Sequence, residues 1–268
     1  MPLSHLDDDH GRRFGGLDRL YGDGARLMLH QSHVAVVGVG GVGSWTVEAL
    51  ARSGVGQLTL IDLDHVAVSN INRQIQALDS TLGQAKVQAL AARIRDINPA
   101  CKVTLVEDFL GEENLAALIV PGRFDAVVDA CDEAKVKIAL IMHARQHRIP
   151  LIVCGAAGGK SNPLNLRQED LGRVTHDALL ARIRNQLKKK FNVQPRKNGR
   201  FSVSCIYLEE ASRRSTSCSA HDLNCAGYGS SVTVTAAMGM AAAAWCLERL
   251  LATDTKNASE NYASWLRM

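Results

Sequence analysis

The chain has 268 residues, of which 46% are hydrophobic and 22% are charged, and its formal net charge is +4. This composition is typical of a globular α/β protein, and the sequence contains no internal repeat and no low-complexity tract. The net charge is too small to identify a partner by itself, so only the local distribution of charge is informative.

The seven cysteines are irregularly spaced and include no Cys-x-x-Cys pair. Their odd number and their spacing argue against a disulfide framework and against a paired-cysteine zinc site, and they favour reduced thiols. The N-terminal residues are polar and acidic and lack the apolar segment of a secretory signal. The sequence therefore predicts a cytoplasmic protein.

Predicted strands and helices alternate in the first part of the chain. A βαβ unit comes first, with a strand at 34–38, a helix at 42–53 and a strand at 57–62. Further helices are predicted at 83–97, 112–120 and 134–147, and further strands at 102–107, 124–130 and 150–154. This alternation predicts an α/β fold with a Rossmann-like, mostly parallel sheet and helices on both faces. Such sheets bind ligands beyond the carboxyl ends of their strands.

The pattern changes in the second part of the chain. A loop is followed by a predicted helix at 175–190, a polar loop at 191–200 and a strand at 201–208. Residues 227–252 form an apolar stretch of small side chains, within a segment (223–247) that has no charged residue. Because the stretch is rich in alanine and contains several hydroxyl groups, we interpret it as a helix packed in the core or at a dimer interface. Membrane association is not expected, although the stretch is long enough to span a bilayer.

A glycine-rich turn joins the first predicted strand to the first helix. It contains Gly38, Gly40, Gly41 and Gly43. Glycines here permit a tight turn and let backbone N–H groups approach phosphate oxygens at a helix N-terminus. Asp62 ends the second strand, 24 residues after Gly38, where a carboxylate can accept hydrogen bonds from ribose hydroxyls. This pattern fits NAD nearly as well as ATP.

The next loop and helix carry polar residues that favour ATP. The predicted nucleotide site is completed by Asp64, Asn70, Asn72, Arg73, Gln74 and Lys86. The pyrophosphate of NAD is bound largely by backbone amides, whereas a triphosphate carries more charge and needs cationic side chains. Arg73 and Lys86 can supply those cations. The alternative interpretation is a polar surface loop followed by a helix cap.

Two carboxylates follow the predicted strand at 124–130 and are candidates for binding magnesium. Asp129 and Asp132 lie at its carboxyl end, where they could hold Mg²⁺ against the phosphates. We favour Asp132 as the metal ligand, because Asp129 could equally be a helix cap.

Five motifs, in this order, resemble the adenylation core of the ubiquitin-activating superfamily: GVGGVGS at 38–44, DLDHV at 62–66, SNINRQ at 69–74, GQAK at 83–86 and DACD at 129–132. The resemblance implies that the glycine turn holds the phosphates of ATP and that Asp62 holds the ribose. It also implies that Arg73, Lys86 and Asp132 act in catalysis, with Asp132 binding Mg²⁺. Such enzymes are usually homodimers, in which an arginine of the partner subunit often reaches the ATP.

Four further motifs resemble the bacterial tRNA threonylcarbamoyladenosine dehydratases: RFGGLDRLYG at 13–22, NINRQIQAL at 70–78, GAAGG at 155–159 and CAGYG at 225–229. In that family, ATP activates the carboxylate of the threonylcarbamoyl group on a tRNA adenosine, and the activated group closes to a ring with net loss of water. The resemblance implies an ATP-binding adenylation core at 1–160. It implies that 161–268 are an extension of the same domain for substrate binding and dimerisation.

The chain departs from its apparent relatives at two places. Gly16 stands where the sulfur-carrier enzymes have a second arginine, so Arg19 is the candidate replacement in catalysis. Lys160 stands close to where the dehydratases have an acidic residue.

Cys225 is a candidate nucleophile or sulfur acceptor at the head of the last helix, and a sulfur-relay protein is a candidate partner. The alternative for Cys225 is a small buried residue.

A basic segment is the candidate contact for tRNA. Between residues 178 and 200 there are eight basic residues and no acidic one. The candidates for phosphate contact are Arg184, Lys188, Lys189, Lys190, Arg196 and Lys197. The alternative is a solvated basic helix face.

Three other functions compete with tRNA dehydration. A sulfur-carrier adenylyltransferase would share the ATP site, but the basic segment and the lack of paired zinc cysteines count against it. An NAD-dependent oxidoreductase would not need Arg73 and Lys86. A nucleotide-sensing scaffold would bind ATP without turnover, which sequence alone does not exclude.

Overall fold

The computed structural model describes residues 8–213 and 228–252. The helices are α1 (Asp8–Tyr21), α2 (Ala25–Gln31), α3 (Gly41–Arg52), α4 (Lys86–Ile97), α5 (Leu115–Leu118), α6 (Ala134–His147), α7 (Ala178–Phe191) and α8 (Val232–Ala252). The strands are β1 (His33–Val37), β2 (Gln57–Ile61), β3 (Lys102–Val106), β4 (Ala126–Asp129), β5 (Leu151–Cys154), β6 (Leu166–Asp170) and β7 (Ser204–Leu208).

The strands form one sheet of seven in the order β3-β2-β1-β4-β5-β7-β6. Every neighbouring pair is parallel except β6 and β7. Val37 at the end of β1 pairs with Ile61 of β2 and with Asp129 of β4, so these three strands end at the same level. The predicted mostly parallel α/β sheet is confirmed, and the residues that follow these strands meet at one edge.

Both faces of the sheet are covered by helices because successive strand residues point to opposite sides. Val34 and Val36 pack with residues of α3, α4 and α8 on one face. Ala35 and Val37 pack with residues of α5 and α6 on the other face. A further cluster joins α6 and α7 to β5 and β7. The strands β1, β2, β4 and β5 are therefore buried on both sides, as their continuous apolar sequences predict, whereas the edge strands β3 and β6 carry exposed residues.

Helix α8 packs along α3 and belongs to the core. It is long and apolar enough to cross a membrane, but 56% of its most apolar window is buried inside the protein. A Cβ added at Gly239 would lie 2.5 Å from the carbonyl oxygen of Val42 and 2.7 Å from Cβ of Trp45, so the two helices are close. The interpretation of this apolar stretch as a helix packed in the core is confirmed for Val232–Ala252.

Three elements were not predicted from the sequence, and others have different bounds. Helix α1 and the antiparallel edge strand β6 are rich in polar residues, and α2 has only 7 residues, so none of the three shows a clear apolar period. Helix α5 covers only Leu115–Leu118, within the predicted 112–120. Helix α4 begins at Lys86 rather than at residue 83, because Gly83 has a φ of +80° and its N–H donates to the carbonyl of Val66 in a turn.

Candidate active site

The glycine turn connects β1 to α3 and lies against the end of β4. Gly38 has a φ of +79°, and a Cβ added there would lie 2.8 Å from the backbone nitrogen of Cys131. Only glycine combines this left-handed conformation with such a close approach. Gly40 is the N-cap residue of α3 and offers no side-chain acceptor to the first N–H groups of the helix. Those groups are therefore available to an anion.

Asp62 ties the end of β2 to the glycine turn. Its Oδ2 accepts a hydrogen bond of 2.8 Å from the N–H of Val39, and its Oδ1 accepts one of 2.9 Å from the N–H of Asp64. The predicted ribose ligand therefore lies beside the predicted phosphate turn.

Lys86 is nearly buried at the start of α4 and pairs with Asp64. Its Nζ lies 2.7 Å from Oδ2 of Asp64, and its backbone N–H donates to the carbonyl of the same residue. The Lys86 side chain is 7% exposed, whereas that of Asp64 is 56% exposed. The ammonium group of Lys86 is therefore largely shielded from solvent, whereas its partner Asp64 is exposed. The sequence identified both residues but not their ion pair.

Arg73 lies next to the glycine turn. A Cβ added at Gly41 would lie 3.6 Å from Cδ of Arg73. The guanidinium folds back on its own loop, where Nη1 donates to the carbonyl of Ser69 at 2.5 Å and to Oδ1 of Asn72 at 2.9 Å. The structure thus places Arg73 beside the glycine turn, and its guanidinium is hydrogen-bonded there to two uncharged oxygen atoms.

Asn70 and Gln74 keep the same loop in shape. Oδ1 of Asn70 accepts a 3.0 Å hydrogen bond from the N–H of Ala67. Oε1 of Gln74 accepts one of 3.1 Å from Gln76, whose Nε2 also donates to the carbonyl of Val39 in the glycine turn. Gln76 was not predicted as a site residue, because it lies beyond the polar motif.

Helix α8 supports the Arg73 loop from behind. The backbone carbonyl of Arg73 accepts hydrogen bonds from Nε1 of Trp45 at 3.0 Å and from Oγ1 of Thr235 at 3.1 Å. Asn72 donates through Nδ2 to the carbonyl of Ser230 at 2.8 Å. Sequence reasoning missed these supports, since Thr235 is 162 positions away from Arg73 and nothing local indicates the contact. Asn72, which we predicted as a phosphate donor, is engaged in holding the loop.

Asp129 is not accessible to a metal ion. Its Oδ1 lies 2.9 Å from Nζ of Lys137, and neither side chain has any exposed surface. Burial alone would lower the pKa of Lys137, but the adjacent carboxylate of Asp129 makes the net shift upward. Burial, followed by the same carboxylate, raises the pKa of the Cys131 thiol. Both groups therefore stay protonated at neutral pH.

Asp132 is an exposed carboxylate at this strand end, and Glu133, the N-cap residue of α6, is exposed beside it. In the described part of the chain, no group of three or more His, Cys, Asp and Glu side chains could hold a metal ion. Mg²⁺ commonly binds through one or two carboxylates together with the phosphates of its substrate. One carboxylate beside a phosphate turn fits that mode of binding.

The basic segment consists of the end of α7 and the loop that follows it. Lys188, Lys189 and Lys190 occupy the last turn of α7, and they are exposed, as are Arg196 and Lys197. Arg184 differs, because it is half-buried and donates to the carbonyls of Leu171 at 3.2 Å and Val174 at 2.9 Å. The prediction of phosphate contact therefore needs correction for Arg184, whose guanidinium is engaged within the protein.

Lys160 forms a second buried ion pair. Its Nζ lies 3.1 Å from Oδ2 of Asp177, the N-cap residue of α7, and 2.9 Å from the carbonyl of Leu208. The same Oδ2 accepts the N–H of Ala156. A basic residue is accommodated here because Asp177, from the next helix, supplies the negative charge.

The remaining catalytic candidates are not joined to this edge of the sheet. Arg19 is exposed on α1, and no hydrogen bond or ion pair links it to the glycine turn within residues 8–213 and 228–252. Cys225 lies outside the described residues.

Comparison with known proteins identifies the family. The model of the ThiF family matches residues 16–266. The tRNA threonylcarbamoyladenosine dehydratase of Escherichia coli K12 is 40% identical, over 92% of this chain and 96% of that protein. The crystal structure of the E. coli enzyme, TcdA, with AMP superposes with a TM-score of 0.87, covering 94% of this chain and 99% of that one. Its complex with ATP gives a TM-score of 0.86 at the same 40% identity. The chain therefore belongs to the ThiF family and, within it, to the tRNA threonylcarbamoyladenosine dehydratases.

Proposed function

We propose that this protein uses ATP to cyclise threonylcarbamoyladenosine in tRNA, with net loss of water, by adenylating the carboxylate of the threonylcarbamoyl group. The observation that carries the proposal is the similarity over nearly the whole chain to a dehydratase whose structures hold ATP and AMP. The convergence of the glycine turn, Arg73 and Lys86 at one sheet edge supports it independently.

In this proposal the nucleotide binds across the ends of β1 and β2. Asp62 accepts the ribose hydroxyls, and the N–H groups at the start of α3, in the turn from Gly38 to Gly43, bind the phosphates. A phosphate is a stronger acceptor than the carbonyl that Arg73 now contacts, so its guanidinium turns to the triphosphate. The ion pair with Asp64 holds the ammonium group of Lys86 in position. Gln74 and Asn70 position the loop, with Asn72 anchoring it to α8.

Asp132 would hold magnesium against the phosphates. When bound, the ion would neutralise part of the phosphate charge that develops during transfer. Asp129, fully buried and paired with Lys137, has no part in binding it.

The chemistry needs two displacements. An oxygen of the substrate carboxylate attacks the α-phosphorus of ATP, the bond to the bridging oxygen breaks, and pyrophosphate leaves. Arg73 and Lys86 stabilise the negative charge that moves onto the leaving group. A nucleophilic atom of the same threonylcarbamoyl group then attacks the activated carbonyl carbon, loses its proton, and AMP leaves as the ring closes. Because the second attack is intramolecular, positioning supplies most of its acceleration and no thiol such as Cys225 is required.

The proposal extends to assembly and location. The core at 1–160 binds ATP, and the extension at 161–268 contributes β6, β7 and α8 to the same domain. The exposed cations Lys188, Lys189, Lys190, Arg196 and Lys197 contact tRNA phosphates. The protein acts in the cytoplasm as a homodimer, with Arg19 reaching the partner's site.

The test is AMP formation by the purified protein with Mg·ATP and either modified or unmodified tRNA. We expect AMP only with tRNA that carries threonylcarbamoyladenosine, and digestion of that tRNA should yield a nucleoside lighter by one water molecule. Turnover with a small sulfur-carrier protein instead would contradict the proposal. Binding of NAD in preference to ATP would contradict it as well.

A further inference from the structure

A positively charged cleft lies at the edge of the sheet opposite the candidate active site. It has a volume of about 690 Å³ and adjoins a second hollow of about 530 Å³, with which it shares Arg196 and Arg249. The start of β5 and the start of β7 line it. Because these strands run parallel to β1 and β4, their starts lie away from the glycine turn.

Five arginines from three parts of the chain surround the two hollows. The arginine cleft is formed by Arg145, Arg148, Arg196, Arg200 and Arg249. All are exposed, and none forms an ion pair with another residue that the structure describes. The guanidinium of Arg145 donates to the carbonyl of Phe201, and that of Arg249 lies 5.7 Å from the ring centre of Trp245.

The carboxylates near the cleft do not neutralise it. Glu169 and Asp170 are its acidic lining residues. The two oxygens of Asp170 accept backbone N–H groups of Gly172, Phe201 and Val203, so the carboxylate is turned toward the chain. Oε1 of Glu169 accepts the N–H of Asp170. Five guanidiniums therefore face two carboxylates that are already hydrogen-bonded to the main chain.

The attraction of arginines to the C-terminal ends of helices does not by itself explain the five arginines of the cleft. Arginines near the ends of α6 and α8 interact favourably with the helix dipoles, which accounts for Arg145, Arg148 and Arg249 individually. Arg196 and Arg200 belong to no helix, and they come from the loop that follows α7. Their position on the same concave surface concentrates five positive charges where only Glu169 and Asp170 supply negative charge.

We propose that the arginine cleft binds the ribose–phosphate backbone of the tRNA at a distance from the modified adenosine. This inference rests on the proposed function and adds a second contact region to it. Guanidinium groups bind phosphates in bidentate geometry, and an open, polar, arginine-lined cleft suits a polyanion better than a small apolar ligand. Arg196 and Arg200 make the cleft continuous with the basic segment at the end of α7.

Helix α8 spans the distance between the two sites. Thr235 contacts the Arg73 loop near its start, and Arg249 lies near its end. At about 1.5 Å per residue, these two positions are separated by roughly 20 Å. A tRNA is long enough to occupy the cleft while its modified adenosine reaches the nucleotide, so the cleft contributes affinity without taking part in chemistry.

The experiment compares Arg148→Gln/Arg249→Gln with Arg95→Gln/Lys102→Gln. The control removes two exposed cations from α4 and β3, and β3 lies at the opposite end of the strand order from β6 and β7. Affinity for the modified tRNA is measured by fluorescence anisotropy at several salt concentrations. We expect the cleft variant to bind roughly tenfold more weakly and its salt slope to fall by about 2, as each lost phosphate contact lowers that slope by about 1. KM for tRNA should rise, while kcat and KM for ATP stay as in the unmodified protein.

A third variant, Arg148→Lys/Arg249→Lys, distinguishes an effect of lost charge on tRNA binding from an effect of altered packing. It keeps both charges, so its salt slope should stay close to that of the unmodified protein. If Arg148→Gln/Arg249→Gln binds tRNA with the original affinity and slope, the cleft does not contact tRNA and the inference is overturned. Binding is measured without turnover. A protein that binds tRNA through the cleft but forms no AMP would therefore contradict the proposed function and leave this inference standing.

Discussion

Lys137 and Asp129 form an ion pair with no exposed surface, where β4 ends beneath the glycine turn. Removing two charges from water is costly, and such a pair is tolerated because each charge compensates the other. Oδ2 of Asp129 has no hydrogen-bond partner among the described residues, and Oδ1 accepts from the backbone N–H and the thiol of Cys131, so Lys137 is the only cation paired with this carboxylate in that part of the chain. The pair therefore fixes the main chain that leads to Asp132.

Replacing only Lys137 should be strongly destabilising. Lys137→Met leaves Asp129 buried without its counter-charge, and we expect the free energy of unfolding to fall by about 3–5 kcal/mol. Asp129→Asn/Lys137→Met removes both charges and should recover most of that loss. Urea unfolding at pH 7 measures both. Equal stability of the single and double variants would show that the pair does not compensate charge.

His10 is a second buried residue whose protonation state is fixed by its neighbours. Its Nδ1 lies 3.0 Å from Nη1 of Arg26, and because a guanidinium can only donate, this nitrogen accepts and the ring is neutral. Burial, together with the nearby His30 and Arg26, lowers the pKa of His10 from 6.5 to about 4. Protonation therefore breaks a contact that joins α1 to α2.

Stability should decline in mild acid because of this residue. A histidine whose pKa falls on folding binds fewer protons in the folded state, so lowering the pH from 6.5 toward 4 favours unfolding. His10→Gln keeps an acceptor for Arg26 but does not titrate, and it should flatten that part of the stability profile. His147→Gln, at an exposed position on α6, serves as the control. Denaturant unfolding at a series of pH values gives the slopes, and equal slopes in all three proteins would exclude a role for His10.

At the scale of helices, the crossing of α3 and α8 connects the core to the active site. Oγ1 of Thr46 in α3 donates to the carbonyl of Gly239 in α8 at 3.1 Å. Trp45 and Thr235, one from each helix, both donate to the carbonyl of Arg73. The distance between the helices therefore sets the position of the loop that carries Arg73.

Gly239→Ala should disturb both packing and nucleotide binding. The added methyl group meets the carbonyl oxygen of Val42 at 2.5 Å, so the helices must separate, and overpacking of this kind costs about 1–3 kcal/mol. We also expect a higher KM for ATP, because the Arg73 loop moves with the helices. Gly15→Ala is the matched control, since its Cβ has no neighbour within 4 Å and alanine favours the helix. If Gly239→Ala is destabilised but keeps an unchanged KM for ATP, the spacing of α3 and α8 does not control nucleotide binding.

Local sequence patterns predict the elements that have a strong apolar period, and they miss the others for identifiable reasons. β1, β2 and β4 are continuous apolar runs because both of their faces are buried. β6 is an edge strand with charged residues and does not show that pattern. α1 buries His10 and Phe14 on an otherwise polar helix, and Phe14 packs on Gly54, far away in sequence.

The residues of the candidate site likewise fall into those that the sequence identifies and those that only the structure shows. The residues that follow strand ends could be identified because parallel strands place them at one edge, as Asp62, Arg73 and Asp132 illustrate. Their supports come from distant segments, such as Thr235 and Ser230 of the α8 region. The pairing of Lys160 with Asp177 likewise depends on how α7 packs. Such contacts follow from tertiary structure, and no local motif encodes them.

At the scale of the whole molecule, one protomer does not bring every candidate residue to the nucleotide. Arg73 lies beside the glycine turn, whereas Arg19 lies on α1 without a contact to that turn in the described structure. Leu20 and Tyr21, next to Arg19 on α1, are 70% and 37% exposed, so this end of α1 presents apolar side chains at the surface. In the homodimer proposed above, this end of α1 is the surface that would have to approach the partner's site.

Mixing two inactive variants tests whether the sites are shared. Arg73→Gln disables a protomer's own site, and if Arg19 acts on the partner's site, Arg19→Ala disables the other. A heterodimer of the two variants contains one site with both arginines intact and one site with neither. After random exchange of subunits, half of the dimers are heterodimers, so the mixture should recover about one quarter of the original AMP-forming activity. If Arg19 instead serves its own protomer, every site lacks one arginine and the mixture stays inactive. Arg95→Gln in place of Arg19→Ala, mixed with Arg73→Gln, controls for effects of mixing on activity, since half of all sites remain intact whether or not subunits exchange.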